Sequence, residues 1–525
     1  MKINLDDTTT EKRFNIEGPC DPERHYMVPA LERLRIARDI AIRGDYFLIH
    51  APSQSGKSTF SEQIVNEINK TNDFHAIYCS LEPLNEFSDV NDGLSIIIDI
   101  INNEIECSHY LSSFGIERQK SGSLISGIRL ALHNIAKAID RKLIVFFDDV
   151  DCIHDEILIT FLSQIRVGFN YRRKLMFPWS IAYIGLSSLH SYKVRLNAKC
   201  EDPETASPFN IIAESFRLES FDERQVELLY KQHTDATGQK FTPDAMKCAF
   251  YWSNGQPWLV NALAHQVVEN DLRLDYSKVI TAEHFNEAVH AILGRNDPHI
   301  GYLFEVLEDP RVERVVDPML CGENYVSDSF FDDLTYCLDI GLLSKNASGD
   351  ICPSNPIYCE AIVWTLSFDI QADLPETIVY KWMDEENFDI SSLLKEFQKF
   401  WYVHIKTCKK HYSYKQSVQQ LSLLGFIQGV IIDAAELKYE LALGSFRVGV
   451  CVIYEGTAYP IEIRQANTTS MPDALEQLSR YIDRCGAYEG WLVVFDRSKS
   501  RSRDEKITWR VEFLPNGKTV NVVGC

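Results

Sequence analysis

Residues 45–59 read Asp45-Tyr46-Phe47-Leu48-Ile49-His50-Ala51-Pro52-Ser53-Gln54-Ser55-Gly56-Lys57-Ser58-Thr59. Asp45 to His50 is a short apolar run suited to a buried strand, and downstream Phe60, Ile64, Val65 and Ile68 recur on one helical face. Strand, loop and helix in this order predict a phosphate loop, because the loop amides and the helix N-terminus converge on the β- and γ-phosphates of a nucleotide. Lys57 adds a point charge there, and Ser58 offers a hydroxyl to Mg²⁺. Gln54, Ser55, Gly56, Lys57, Ser58 and Thr59 are therefore candidate binding residues for ATP. Ala51 stands in place of the first glycine of the usual pattern. Gly56 is kept where a side chain would most obstruct close backbone approach.

The second half of such a site is supplied by Lys142-Leu143-Ile144-Val145-Phe146-Phe147-Asp148-Asp149, an apolar strand ending in two carboxylates. A chance pair of acids at a solvated strand end would look the same in isolation; their order behind the phosphate loop selects the catalytic reading. Asp148 is expected to hold Mg²⁺ through water, making Ser58 and Asp148 the metal candidates. Asp149 is expected to orient or deprotonate the attacking water, so Lys57, Asp148 and Asp149 are the catalytic candidates. Phe74 to Cys79 and Trp179 to Leu186 read as two further strands, and strands alternating with helices predict a parallel α/β sheet. Ligands bind beyond the carboxyl ends of such strands, where both motifs fall. Ser187 and Ser188 follow the fourth strand and are candidates for sensing a γ-phosphate.

A chain of 525 residues exceeds the size of one core, so several domains are expected. The net charge of -22 would repel a phosphate backbone, which disfavours nucleic acid as a partner. Met1 to Lys12 lacks an apolar signal core and no apolar run is long enough to span a bilayer, so a cytoplasmic location without membrane attachment is expected. The 14 cysteines form no CxxC pair and read as reduced core residues.

Two flanking segments carry a resemblance. Phe14-Asn15-Ile16-Glu17-Gly18-Pro19 and His25-Tyr26-Met27-Val28-Pro29 precede the loop, and Asn254-Gly255-Gln256-Pro257-Trp258-Leu259-Val260 follows the strands. With the two motifs between them, the N-terminal two thirds resemble the AAA-like ATPases of the signal-transducing STAND type. The resemblance implies that His25 and Tyr26 lie near the adenine and that Pro257, in the GxP element of a helical lid, touches the nucleotide. Arg166, Arg172 and Arg195 border the third and fourth strands and are the candidates for an arginine finger.

Four domains are expected. Residues 1–220 form an α/β P-loop NTPase core. Residues 221–295 form a helical lid of consecutive helices. Residues 296–371 resemble a winged helix whose helix over Ser327 to Asp339 carries Asp328, Asp332, Asp333 and Asp339 without Lys or Arg, which points to interdomain packing rather than DNA reading. After a linker over Ala372 to Thr377, residues 378–525 resemble an α+β, restriction-endonuclease-like PD-(D/E)XK domain. That chemistry needs a metal-binding Asp on its second strand and Glu-x-Lys on its third. Gly449 and Glu462-Ile463-Arg464 stand in those places, with Glu440 and Gln477 nearby in the pattern, so the domain reads as degenerate; in another register Glu455 or Asp473 would substitute. The leading expectation is a slowly hydrolysing ATP switch, with ATP and Mg²⁺ bound and nucleotide state controlling self-association or a protein partner. The resemblance adds prokaryotic defence as its setting. The alternative is an ATP-gated, Mg²⁺-dependent DNA nuclease acting through the C-terminal domain.

Overall fold

A computed structural model describes residues 12–28, 31–119, 125–197, 208–295, 298–322, 328–372, 383–384, 387–411, 414, 416–431, 435–443, 447–466, 470–498 and 500–525. Pro29, residues 296–297, Ser327 and all but the first residue of the 372–377 linker lie outside this set. Two compact units are present: Met1–Ala288 with Asp339–Gly341, and Val289–Leu338 with Leu342–Cys525.

In chain order the first unit holds α1 (Leu31–Arg43), β1 (Tyr46–His50), α2 (Lys57–Asn69), β2 (Phe74–Ser80), α3 (Val90–Cys107), α4 (His109–Ser112), α5 (Gly127–Ala138) and β3 (Lys142–Asp148). Then come α6 (Asp155–Tyr171), β4 (Ser180–Gly185), α7 (Leu189–Asn197), β5 (Ile212–Arg217), α8 (Glu223–Thr237), α9 (Pro243–Ser253) and α10 (Pro257–His265). Helix α11 (Ala282–Gly294) crosses the limit between the units. The five strands pair in parallel in the order β2-β3-β4-β1-β5.

Alternation along the strands fills two core layers. Tyr46, Leu48, Val145, Phe147, Ile181 and Tyr183 belong to one layer, with side chains from α3, α5 and α6. Phe47, Ile49, Ile144, Phe146, Ala182 and Ile184 belong to the other, with side chains from α1 and α2. A strand covered on both faces needs apolar residues at nearly every position, which is why β1, β3 and β4 stand out as unbroken runs. Strand β5 does not. It reads Ile-Ala-Glu-Ser-Phe-Arg, has an exposed middle and pairs along the sheet edge with β1, so it is absent from the four strands expected from sequence. Because all strands are parallel, the loop after β1 and the acidic pair at the end of β3 emerge on the same edge of the sheet.

The helices behind the sheet open on strong start signals. Asp222 and Gln225 form a capping box at α8, Thr242 caps α9 ahead of Pro243, and Gln256 caps α10 ahead of Pro257. Between α9 and α10, Asn254 and Gly255 have φ angles of 45° and 72°. A Cβ on Gly255 would lie 1.8 Å from the carbonyl oxygen of Phe221, so only glycine allows this turn to dock on the chain leaving β5. The Phe221 amide donates to the Gly255 carbonyl at 2.8 Å and locks the contact. The helix expected over Pro257 to Val268 is α-helical only to His265 and continues as a π-helical turn, Gln266–Asp271.

The second unit begins with α12 (Pro298–Leu307), α13 (Pro310–Cys321) and α14 (Asp328–Asp339), followed by the hairpin β6 (Leu343–Lys345) and β7 (Ile351–Pro353). Next are α15 (Pro356–Leu366), α16 (Phe368–Ala372), the short pair β8 (Met383–Asp384) and β9 (Asn387–Phe388), α17 (Ile390–His411) and α18 (Val418–Ile431). The remainder is β10 (Glu436–Ala442), β11 (Arg447–Tyr454), β12 (Thr457–Gln465), α19 (Met471–Arg484), β13 (Glu489–Phe495), α20 (Arg503–Lys506), β14 (Thr508–Phe513) and β15 (Thr519–Gly524). Its six-stranded sheet runs β10-β11-β12-β13-β15-β14, with β12, β13 and β15 parallel. Helix α19 links β12 to β13 and packs Leu478 and Ile482 with Leu492 and Val522. The segment before residue 373 is fastened to the segment after it. The Leu443 amide donates to the Ile351 carbonyl at 2.8 Å, and buried Asp317 accepts from the Ser417 amide and hydroxyl at 2.9 and 2.6 Å. Among the described residues no helix is long and apolar enough to cross a membrane.

Candidate functional site

The residues that emerge together from β1 and β3 border a cleft of about 370 Å³ in the first unit. Its floor is the loop of residues 53–59. Gly56 precedes α2 with a φ of 83°, a conformation glycine adopts freely, and a Cβ built on it would meet no protein atom within 4 Å. The glycine is thus required by its backbone conformation, and the space beside it is open. Lys57 Nζ donates to the carbonyls of Ala51 and Pro52, at 2.9 Å each. Burial pulls its pKa down, and the nearby charges of Asp148, Asp151 and Asp149 oppose that shift.

Asp148 is fully buried at the end of β3. It accepts from the hydroxyl of Tyr78 at 2.7 Å and from the amide of Asp149 at 2.9 Å. Asp149 has a φ of 59°, in the left-handed region that non-glycine residues rarely adopt. Ser80 Oγ donates to it at 3.0 Å. Burial, with the adjacent Asp148 charge adding, pushes the Asp149 pKa up to about 6.

The remaining walls come from distant parts of the chain. The N-terminal aromatic segment is tied down by the Cys20 amide donating to Thr59 Oγ1 at 2.9 Å, by Gln232 Nε2 donating to the Met27 carbonyl at 2.8 Å, and by Trp258 Nε1 donating to the Ile16 carbonyl at 3.0 Å. Gln256 Nε2 reaches the Gln54 carbonyl at 3.3 Å and couples the start of α10 to the loop.

Of the residues singled out in the sequence, Tyr26, Gln54, Ser55, Gly56, Lys57, Ser58, Thr59, Asp149 and Pro257 line the cleft. His25 does not: its ring is buried and its Nδ1 accepts from the Asp21 amide at 2.9 Å, which shapes the turn before Tyr26. Ser187 and Ser188 also stay outside the lining; Ser188 Oγ accepts from the Ser191 amide at 3.4 Å, in the first turn of α7. Arg172 donates to the Gly44 carbonyl and stacks on Phe169, and Arg195 pairs with Asp155, so both guanidinium groups are engaged within the unit. Arg166 is half-buried on α6. Sequence reading missed Tyr78 and Ser80. The register of β2 on β3 sets Ser80 opposite Asp148, a pairing that strand order reveals and spacing alone does not. Among the described residues no group of three or more His, Cys, Asp and Glu could hold a metal by itself. Ser58 and Asp149 offer oxygen donors at the cleft, whereas Asp148 is fully buried, does not line it and accepts from Tyr78 and the Asp149 amide.

In the second unit, Gly449 of β11 stands opposite Glu462 of β12. Arg464 Nε donates to Glu462 at 2.8 Å, its Nη2 reaches Gln477, and both charged groups are buried. A Cβ at Gly449 would come 2.8 Å from the Ile461 carbonyl oxygen and 3.3 Å from the Tyr481 ring, so a longer acidic side chain does not fit without rearrangement. Glu455 sits in the β11–β12 turn with a φ of 47°, and Asp473 is bound by Ser470 at the start of α19; neither lines the small cavity at Glu462.

A family model for an AAA-like domain matches residues 21–291. Among solved structures, a Walker-type ATPase of Pyrococcus abyssi is 13% identical, with 66% of this chain and 99% of that chain covered and a TM-score of 0.49. The RuvB Holliday junction branch migration motor of Thermotoga maritima is 13% identical over 63% of this chain and 93% of that one, with a TM-score of 0.34. The ORC1 protein of Aeropyrum pernix, solved in complex with DNA, is 13% identical over 65% and 93%, with a TM-score of 0.34. No curated protein matches the chain.

The raised pKa of Asp149 has a consequence for stability. Its folded value of about 6 lies above the unfolded carboxylate value, so ionisation weakens the folded state. That penalty is absent below about pH 4, where both states are protonated, and complete above about pH 6. Asp149→Asn is therefore expected to raise the melting temperature at neutral pH, with the gain vanishing as pH falls to about 4. Thermal unfolding of both proteins across this range checks it, and a pH-independent difference would contradict the assignment.

Proposed function

The chain belongs to the AAA-like domain family, and on that premise we propose that it is an ATP-dependent regulatory switch that hydrolyses ATP slowly and passes its nucleotide state to an assembly or partner-binding step. The observation that carries this reading is the convergence on one cleft of Gly56, Lys57, Ser58, Asp149 and Pro257. The N-terminus of α2 and the amides of residues 55–59 supply an anion site. Lys57 would exchange two neutral carbonyl acceptors for phosphate oxygens, a stronger pairing for an ammonium. Asp149, with a pKa of about 6, is suited to orient a water and accept its proton near neutral pH, while Ser80 holds the carboxylate in place.

Mg²⁺ fits the donor set. Ser58 would hold it directly and Asp148 through water; oxygen donors suit a hard cation, and so few protein ligands suit an ion that shares its coordination with substrate phosphates. When bound it neutralises developing charge on the phosphates. The contact from Gln256 to Gln54 supports a switch, because it makes the position of α10 depend on the conformation of the phosphate loop. Slow turnover is supported by the internal engagement of Arg172 and Arg195, which leaves neither poised as an arginine finger within its own unit.

In this reading residues 1–220 are the ATPase core, 221–295 its lid, 296–371 a winged-helix-like packing module and 378–525 a PD-(D/E)XK-like domain without nuclease activity. The last assignment draws support from the buried guanidinium of Arg464, which lies on Glu462 where nuclease chemistry would call for a cation, and from the lack of room at Gly449 for an acidic ligand. Such a domain would serve as a surface for self-association or a protein partner; the net charge of -22 disfavours nucleic acid. Prokaryotic defence is the setting that the resemblance to STAND ATPases adds.

Lys57→Ala should weaken ATP binding by about 100-fold or more, since two charge-assisted bonds are lost. Titration calorimetry measures this, and unchanged affinity would sink the reading. With Mg²⁺ and duplex DNA the wild-type protein should show no cleavage. Cutting that disappears in Glu462→Ala would instead establish the nuclease alternative.

A further inference from the structure

The cleft contains an acceptor with nothing to accept. Asn261 lies one turn into α10, four residues beyond Pro257, and its Nδ2 donates to the Pro257 carbonyl at 2.8 Å. This bond fixes the orientation of the side-chain amide, because turning it over would set two carbonyl oxygens against each other. Oδ1 is the free end. It is buried without a hydrogen-bond partner on a residue that is 7% exposed and lines the cleft. Buried polar groups are almost always satisfied, so an orphan in a ligand-sized cavity points to a donor on the occupant.

One other lining side chain among the described residues shares this state. Ser55 Oγ, in the phosphate loop, is also buried and unpartnered. The two orphans differ in what they can do. A hydroxyl can donate to a phosphate oxygen, whereas an amide oxygen only accepts and would be repelled by one. Phosphates therefore belong at Ser55, and the nucleoside, which carries the donors, belongs at Asn261. Away from residues 53–59 the lining includes Ile16, Met27, Val28, Leu229 and Trp258, apolar surfaces suited to the faces of a flat base. A ribose, with its hydroxyls, suits such walls less well.

We propose that Asn261 Oδ1 accepts a hydrogen bond from the 6-amino group of adenine and makes the cleft select ATP over 6-oxo-purine triphosphates. The proposal rests on the nucleotide reading given above. A 6-oxo group would meet Oδ1 lone pair to lone pair, and the amide cannot turn over without losing its bond to Pro257.

Calorimetric titration of the full chain with Mg²⁺ and ATP, ITP or 2′-deoxy-ATP tests this. The wild type should bind ATP at least about tenfold more tightly than ITP and bind 2′-deoxy-ATP within about threefold of ATP. Asn261→Leu should bring the ATP-to-ITP ratio near one by weakening ATP and retaining or strengthening ITP binding as the lone-pair repulsion is relieved, and retained ITP binding also shows that the variant is folded. Asn261→Ala serves if the leucine variant does not fold. A wild-type ratio near one, a ratio unchanged in the variants, or a selective loss of 2′-deoxy-ATP binding would overturn the proposal. Failure of the wild type to bind any of the three nucleotides would be a different result, the failure of the nucleotide reading beneath it.

Discussion

Two adjacent carboxylates at the end of a strand covered on both faces repel each other, and desolvation strengthens that repulsion. Asp148 and Asp149 are in this position, and the surrounding side chains can be understood as ways of containing their charge. Tyr78 and the Asp149 amide bind Asp148, Ser80 binds Asp149, and the Lys57 ammonium supplies the nearest positive charge from the neighbouring loop. Even so, Asp149 keeps a pKa of about 6. A site that retains unrelieved negative charge beside a lysine and an open loop of amides is prepared for a ligand that brings both anionic oxygens and a cation. The parallel sheet is what makes this possible, since it delivers the loop and the acids to one edge from strands that are not neighbours in sequence.

How much of this can be read from sequence depends on where the information resides. Strands β1, β3 and β4 are visible because burial on both faces demands unbroken apolar runs, and the loop and acidic pair are visible because they are contiguous. Strand β5 is hidden because an edge strand tolerates Glu214 and Ser215, and β14 is hidden for the same reason by Arg510 and Glu512. Tyr78 and Ser80 are plain residues in an alternating strand until the register places them on the acids. His25 lies beside Tyr26 in sequence, yet the turn held by Asp21 separates their roles, leaving only Tyr26 at the cleft. Asn261 is the least legible of all. It interrupts an apolar helix, and nothing but the direction of its amide distinguishes it from a tolerated polar core residue.

The second unit contains a buried ion pair. Glu462 and Arg464 lie two residues apart on one strand, side by side on the same face, and satisfy each other inside the fold. Breaking such a pair strands a buried charge, so loss of either partner alone is expected to destabilise the sheet.

The central claim is that one nucleotide bridges the phosphate loop and helix α10. Hydrogen–deuterium exchange of the full chain, with and without ATP and Mg²⁺, tests it most directly. The account predicts that amide exchange slows together in residues 53–59 and 255–263 when nucleotide is present. Protection confined to residues 53–59, or absent from both segments, would contradict it.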